Sequence, residues 1–410
     1  MRVLIVTQYF WPENFRINDL VLGLAARGHD VSVLTGLPNY PQGRLYRGYG
    51  HLAGPYTERY EGIPVRRVPL VPRGPSRGLQ LALNYASFAA SASLLGPLRS
   101  GRAFDAVLAY EPSPITVALP AIVMKRVSRT PMALWVQDLW PESLSATGAV
   151  RSPKVLAAVT RLVGYIYRRS DRLLMSSPGF VEHALAHGIP AGRIEYFPNW
   201  AEAFYRPMGH DEARAIAPDF PADGLRLLYA GNLGSAQSLG TVVEAADRLR
   251  DRPITWVLIG DGNDRASIER QVAERGLQHR VRLLGPRPSD TMPAYFALAD
   301  GLLATLRNEP AFALTLPSKL QTYFACARPV IAALPGDGAR LVTEASAGFG
   351  CEPADPVALA RTVEAFAGLD EAGRARMGAN ARRYFEEYFE REKQLGRLEH
   401  ILQGMTACGS

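Results

Sequence analysis

A chain of 410 residues exceeds what one hydrophobic core usually serves and is expected to form two domains. With 47 % hydrophobic and 21 % charged residues it reads as a folded globular protein, which excludes disordered and fibrous classes. Three cysteines, Cys326, Cys351 and Cys408, are too few and too widely spaced for a disulfide framework or a zinc site, and suit the cytoplasm.

The net charge of +7 is unevenly distributed. Residues 1–199 carry 22 Lys+Arg against 12 Asp+Glu, or +10, and the remainder 24 against 27, or −3. A basic first half suits an anionic partner such as lipid headgroups, a pyrophosphate or nucleic acid, although solvated arginines need no partner. Aromatic residues do not interleave with basic ones to form a stacking platform, so nucleic acid is not expected.

Short apolar runs alternate with segments of helical period, the pattern of βαβ units around parallel sheets. The opening run MRVLIVTQYFWPEN has strand length and no small-residue cleavage site, so it reads as a first strand and not a leader peptide. Strands are expected at 2–7, 30–34, 65–68, 106–109, 132–135 and 172–175, then at 226–229, 255–259, 281–284, 301–304 and 329–332. Gly28 and Gly276 stop the helices that precede the strands at Val31 and Val281. The segment 79–98, LQLALNYASFAASASLLGPL, has transmembrane length and no formal charge. Its Gln80, Asn84, Ser87, Ser91 and Ser93 favour a soluble or interfacial helix over a span, and Arg66, Arg67, Arg73 and Arg77 just before it would suit anionic lipid. A buried helix beside a solvated arginine loop fits equally. Prolines 198, 207, 218 and 221 interrupt regular structure near the change of charge. This predicts an N-terminal domain over 1–200, a second over 201–381, and a terminal segment over 382–410 read as one charged helix.

In parallel α/β sheets, ligands bind beyond the carboxyl ends of strands, where helix N-termini favour anions. After the 226–229 strand comes Gly231-Asn232-Leu-Gly234-Ser-Ala-Gln237, in which glycines let backbone approach a phosphate, though such loops are often only tight turns. Support comes from Leu316-Pro317-Ser318-Lys319-Leu-Gln321, which opens a helix with Ser318 and Lys319 near its positive end. Asp261 and Asp264 in IGDGND shape a turn and do not form an Asp-x-Asp pair for a metal diphosphate. No histidine pair has metal spacing either.

The ordered runs TQYFWPEN, GHDVSVLTGLPNYP, WVQDLWPES, YFPNWAE, YAGNLG and LPSKLQTYFACARPVIA, spread over nearly the whole chain, resemble retaining glycosyltransferases of family four. The resemblance is to the bacterial branch that builds O-antigen, capsule and colanic acid chains, including N-acetylfucosaminyl transferases. It implies the GT-B fold: two Rossmann-like, doubly wound parallel-sheet domains facing across a cleft, acceptor on the first, donor nucleotide on the second, and a last helix crossing back. It also implies a nucleotide sugar donor, uridine by family habit, and a polyprenyl-diphosphate-linked sugar acceptor. The enzyme would work without a metal or other cofactor, as a peripheral protein on the inner face of the bacterial cytoplasmic membrane.

The resemblance also suggests site residues. Donor contacts fall on Gly231, Asn232, Gly234, Gln237, Ser318, Lys319 and Gln321. The family's two loop glutamates, eight residues apart, correspond here to Ala313 and Gln321, so Gln321 would bond the ribose and backbone between Ala311 and Leu316 would meet the sugar. The arginine and lysine usual around the diphosphate are replaced by Asn232 and Gln237, which leaves Lys319 as the leading cation. Asp138, after the 132–135 strand, would stabilise positive charge near the anomeric carbon, or else cap a helix before Pro141. Glu13 would assist the acceptor hydroxyl as a base and, with Asn14 and Arg16, form the acceptor side. Equally, Glu13 is a turn residue and Arg16 a partner for Asp19. A nucleotide-sugar epimerase of the same architecture and a non-catalytic nucleotide-sugar binder remain as other readings, the latter because of Ala313 and Gln321.

Overall fold

The computed structural model describes residues 1–74, 78–146 and 148–407, so Arg77 and Cys408 lie outside the described residues. It divides into two compact units, Met1–Pro198 with Glu392–Ser410, and Asn199–Arg391.

Unit 1 holds an eight-stranded sheet. Its strands are β1 (Arg2–Val6), β2 (Asp30–Gly36), β3 (Thr57–Tyr60), β4 (Ile63–Val68), β5 (Ala106–Glu111), β6 (Met132–Val136), β7 (Arg172–Met175) and β8 (Ile194–Tyr196), in the order β3-β4-β2-β1-β5-β6-β7-β8. All neighbours pair in parallel except β3 with β4. The central strands β5 and β6 are buried at every position, because helices cover both faces of a parallel sheet. At the edge, β3 and β4 alternate between the interior and solvent. They are joined by Glu61 and Gly62, with φ of 48° and 84°, the pair of left-handed residues that a two-residue hairpin needs.

Unit 2 holds β9 (Leu225–Ala230), β10 (Ile254–Ile259), β11 (Val281–Gly285), β12 (Gly301–Thr305), β13 (Val330–Ala333) and β14 (Gly348–Gly350), all parallel, in the order β11-β10-β9-β12-β13-β14. Alternate residues of one strand feed opposite cores: Leu228, Val257 and Ile259 join one cluster, while Leu227, Tyr229, Trp256 and Leu258 join the other.

The expected strands are present with ends shifted by one or two residues, and β3, β8 and β14 add to them. The expectation of one helix over 382–402 is corrected. The Glu371–Tyr388 helix ends in unit 2, Phe389 leaves the helical region with φ −127°, and a separate helix runs over Arg391–Ala407. From Glu392 onward that helix groups with unit 1, where Arg27 pairs with Glu392 and Glu399 and Arg397 pairs with Glu195. These surface pairs contribute little; the buried Leu395, Leu398 and Leu402 dominate its attachment.

Candidate active site

In unit 2 the site is built where β9 ends. Gly231 has φ +139°, closed to most side chains, and a Cβ there would lie 3.8 Å from Lys319 Nζ. The turn is braced from the next strand: a Cβ on Gly260 would meet the Gly231 carbonyl oxygen at 1.8 Å, and Leu233 N donates to Asp261 O at 2.9 Å. Asp261 accepts from Gly262 N at 2.9 Å, so the IGDGND carboxylate shapes that turn. From β12, Thr305 donates to Gln237 O at 2.6 Å.

Lys319 opens the Lys319–Ala325 helix. Its Nζ donates to Gln237 Oε1 at 2.9 Å and lies 3.9 Å from the centre of the Tyr229 ring, whose hydroxyl also donates to Gln237 Oε1 at 2.9 Å. Among the described residues no carboxylate is bonded to this amine, and burial lowers its pKa to about 7. Lys319 is thus in one group with Gly231 and Gln237, more than 80 residues before it. Asn232 and Ser318 are exposed beside them, and Gly234 is half-buried.

Gln321 requires a correction. It is 0 % exposed, and its amide, oriented to satisfy its surroundings, donates to Pro317 O at 3.2 Å and Ser318 O at 2.9 Å. It holds the turn that presents Lys319 and has no face for a ribose. Ala313, in the segment expected to meet the sugar, lines an open cavity of about 560 Å³ with Asn308, Gly336, Arg340 and Glu352.

In unit 1 the expected residues follow the carboxyl ends of β1 and β6. Glu13 is 1 % exposed, and its carboxylate accepts from Phe10 N at 3.1 Å, Asn39 N at 2.7 Å and Tyr40 N at 2.8 Å. Burial raises its pKa to about 7, against the pull of these three bonds. The expectation that Glu13 faces an acceptor is therefore not met: it ties the loop after β1 to the loop after β2. Asn14 is exposed. Arg16 begins the Arg16–Ala26 helix, and its Nη1 is buried with no hydrogen-bond partner.

Asp138 is half-buried, and its Oδ2 accepts from Trp140 Nε1 at 3.2 Å, with Ser143 and Ser113 as further partners. Burial raises its pKa while these bonds oppose the rise. Behind it lies Glu111, the last residue of β5 and fully buried, which accepts from Asp138 N at 3.4 Å. Burial first, and the Asp138 charge second, hold Glu111 well above the usual carboxylate range. Next to these, His183 pairs with Glu142 at 3.1 Å. Burial pushes Glu142 up, but the His183 bond and charge bring it below its ordinary value. Ser113, between β5 and this group, is held at φ +122°, a backbone strain of the kind that collects at functional sites.

Sequence reading missed Glu111, His183 and an aromatic group around Arg73. Its guanidinium donates to the Tyr9 hydroxyl and lies 5.1 Å from the Tyr40 ring centre and 5.9 Å from that of Tyr85. Tyr9 and Phe15 stack at 5.1 Å, and Tyr85 meets Trp140 at 5.9 Å. The rings come from four separate segments, so no local spacing announces them. Aromatic faces beside a cation suit the apolar face of a sugar and a neighbouring anion. Among the described residues no three His, Cys, Asp or Glu side chains are grouped to hold a metal ion.

Two doubly wound sheets, parallel apart from the β3–β4 pair, with an amine at a glycine loop in one and neighbouring carboxyls in the other, have the GT-B architecture. Sequence models agree: the glycosyl transferase 4-like domain matches residues 14–200, and glycosyl transferases group 1 matches residues 224–367. The chain belongs to these glycosyltransferases. It is 29 % identical to the colanic acid biosynthesis glycosyl transferase WcaI of Escherichia coli K12, over 98 % of this chain and 100 % of the relative. It is 28 % identical to the glycosyltransferase WbjE of Pseudomonas aeruginosa, over 72 % and 73 %. Among solved structures, sucrose-phosphate synthase of Thermosynechococcus elongatus superposes with TM-score 0.76 at 18 % identity, covering 99 % of each chain. Anabaena HepE in complex with UDP superposes with TM-score 0.73 at 16 % identity, covering 98 % of this chain and all of its own. These two likenesses establish the fold.

Proposed function

We propose that this glycosyltransferase moves a sugar, with retention and without a metal, from a uridine diphosphate donor to a polyprenyl-diphosphate-linked sugar in bacterial surface polysaccharide synthesis. It works on the inner face of the cytoplasmic membrane, and an N-acetylated deoxyhexose is the sugar favoured by the branch it resembles. The observation that carries the reading is the position of Lys319 Nζ against Gly231 and Gln237, with no carboxylate bonded to it. A buried amine held near neutrality gains a full charge when a diphosphate arrives, and supplies the positive charge that a metal supplies elsewhere. The names of WcaI and WbjE support the class of product, and HepE with UDP supports the base.

In this mechanism Lys319 stabilises the departing diphosphate, whose oxygen takes the acceptor proton on the face that the leaving group vacates. Asp138 stabilises the developing positive charge of the sugar ring, and Glu111 behind it, more deeply buried, ionises less readily. Arg73 and its tyrosines hold the acceptor. A melting screen of UDP-sugars and GDP-sugars, followed by product analysis with proton NMR, tests this. The expected result is a UDP-sugar that raises Tm and yields a product with the donor's anomeric configuration. Near-wild-type turnover and saturable donor binding in Lys319→Ala would refute the site.

A further inference from the structure

We propose that the solvent face of the Gly78–Ser100 helix is a membrane seat that lies in the headgroup layer of an anionic bilayer; this rests on the reading that the acceptor is lipid-linked. The helix has two unlike faces. Asn84, Phe88, Ala89, Ala92 and Gly96 are buried against the sheet and the Ala118–Ser128 helix. The other face carries Leu79, Leu83, Leu94 and Leu98 at 76 %, 46 %, 74 % and 77 % exposure. At about 100° per residue these four leucines fall within an arc of roughly 100°, with the exposed Ala90 inside it and the exposed Ala86 just beyond its edge. A helix on a water-soluble surface places charged groups there; this one has no charged side chain from Gly78 to Leu98.

The surrounding charge favours anionic lipid as the occupant. Between Glu61 and Asp105 the chain has six arginines and no acidic residue. Arg67 among them is buried, whereas Arg102, just past the helix, is exposed. Beside that end opens a cavity of about 750 Å³, lined by Lys125, Arg126, Arg129, Arg168, Arg172 and Arg193 against a single acid, Asp171. Thr130, also on its wall, donates to Phe104 O at 3.2 Å, which joins the cavity to the loop leaving the helix. Lys125 and Arg193 also cap helix ends, through Arg169 O at 2.8 Å and Arg168 O at 3.1 Å, which accounts for part of this cluster but not for Arg129 or Arg172. An apolar stripe ending near a basic cavity matches acyl chains and anionic headgroups.

The helix lies on the bilayer and does not cross it. Its 23 residues and mean hydropathy of 1.2 meet the length and composition of a span. However, Asn84 donates to Val71 O at 2.6 Å and accepts from Gln8 at 2.7 Å, and a Cβ on Gly96 would meet Leu34 at 2.8 Å. Crossing would tear this face from the sheet. At about 1.5 Å per residue the helix is roughly 34 Å long, and it runs from the loop carrying Arg73 to the basic cavity. Seated flat, it brings the aromatic group around Arg73 to the level of a lipid diphosphate.

The test is flotation of the full chain with vesicles of phosphatidylcholine alone or with 30 % phosphatidylglycerol. The wild type is expected to float with the anionic vesicles. Leu83→Glu/Leu94→Glu, substitutions on exposed positions that should leave Tm unchanged, is expected to partition on the order of 100-fold more weakly. Arg129→Glu/Arg172→Glu should lose only the preference for anionic vesicles. Undiminished flotation of the leucine variant would overturn the seat while leaving a lipid-linked acceptor possible. A wild type that ignores vesicles and is a dimer in solution, converted to monomer by the leucine variant, would assign the stripe to a second copy and overturn the proposal. UDP-induced stabilisation, measured without vesicles, decides the transferase reading separately.

Discussion

Replacing Lys319 by methionine tests the unit 2 site directly, because methionine keeps an unbranched stem against Tyr229 but cannot charge. Burial holds the amine at about 7 instead of 10.5. At 1.36 kcal/mol per pH unit this penalises the native state by at most ~5 kcal/mol below pH 7. Lys319→Met is therefore expected to stabilise unit 2 by up to ~4 kcal/mol near pH 7. The sign with pH follows from proton counting: the folded value is depressed, so the unfolded chain binds more protons between about 7 and 10.5. Wild-type stability should rise with pH across that window, and the variant should lack the rise. Ligand binding runs the opposite way. A diphosphate binds the charged amine, so UDP affinity of the wild type should fall by up to about tenfold per unit above pH 7, while the variant binds weakly at every pH. Urea unfolding at pH 6.5, 8 and 9.5, with UDP titration calorimetry at the same values, reads both effects. A variant less stable than wild type at pH 6.5, or a wild-type UDP affinity that does not change with pH, would refute the reasoning.

Asp138→Asn should reduce transfer at least ~100-fold with Tm within a few degrees of wild type; a large drop in Tm with turnover preserved would mark it as structural. Glu13→Gln turns an amide N–H₂ toward the Phe10 N–H that the carboxylate now accepts, so unfolding in urea should show a loss of ~1–3 kcal/mol. Turnover per folded molecule should survive that change, which a role as base would not allow. Gly260→Ala places a methyl 1.8 Å from the Gly231 carbonyl oxygen at φ +140°, and should destabilise unit 2 by ~2 kcal/mol or more. UDP binding should be lost with it, whereas Gly276→Ala, which meets nothing within 4 Å, should retain binding.

The central strands were legible because a parallel sheet covered on both faces leaves unbroken apolar runs such as VLIV and AVLAY. The edge strands were not, since β3, β8 and β14 are three or four residues long and incompletely buried, too short for a period. The Glu61-Gly62 pair between TERY and IPVRRV was the one local signal that could have found β3. The terminal segment misled because its charge pattern runs unbroken across Phe389, where the chain leaves one unit for the other. Lys319 and the Gly231 loop were readable because each follows its own strand in a doubly wound sheet, where topology fixes where loops gather. Gln321 failed for the opposite reason: its role was carried over from the second family glutamate, and in this chain the preceding Pro317-Ser318 turn takes up its amide. Glu111 was hidden at the end of an apolar run; only Asp138, 27 residues away, gives it meaning.

The two sites apply the same physics with opposite sign. In unit 2 burial disfavours the charged amine; in unit 1 it disfavours charged carboxyls, and Glu111 yields first because it is the more deeply buried of the pair. Each site therefore carries less charge at rest than its residue types suggest. A fully charged lysine beside the Gly231 loop would attract any anion, and two ionised carboxyls at the ends of β5 and β6 would repel one. Burial thus favours the uncharged forms of Lys319 and Glu111, and leaves the less buried Asp138 as the carboxyl of that pair that ionises more readily. Charge then develops where the bound substrate calls for it, and burial, which sequence shows only as apolar context, is what sets that order.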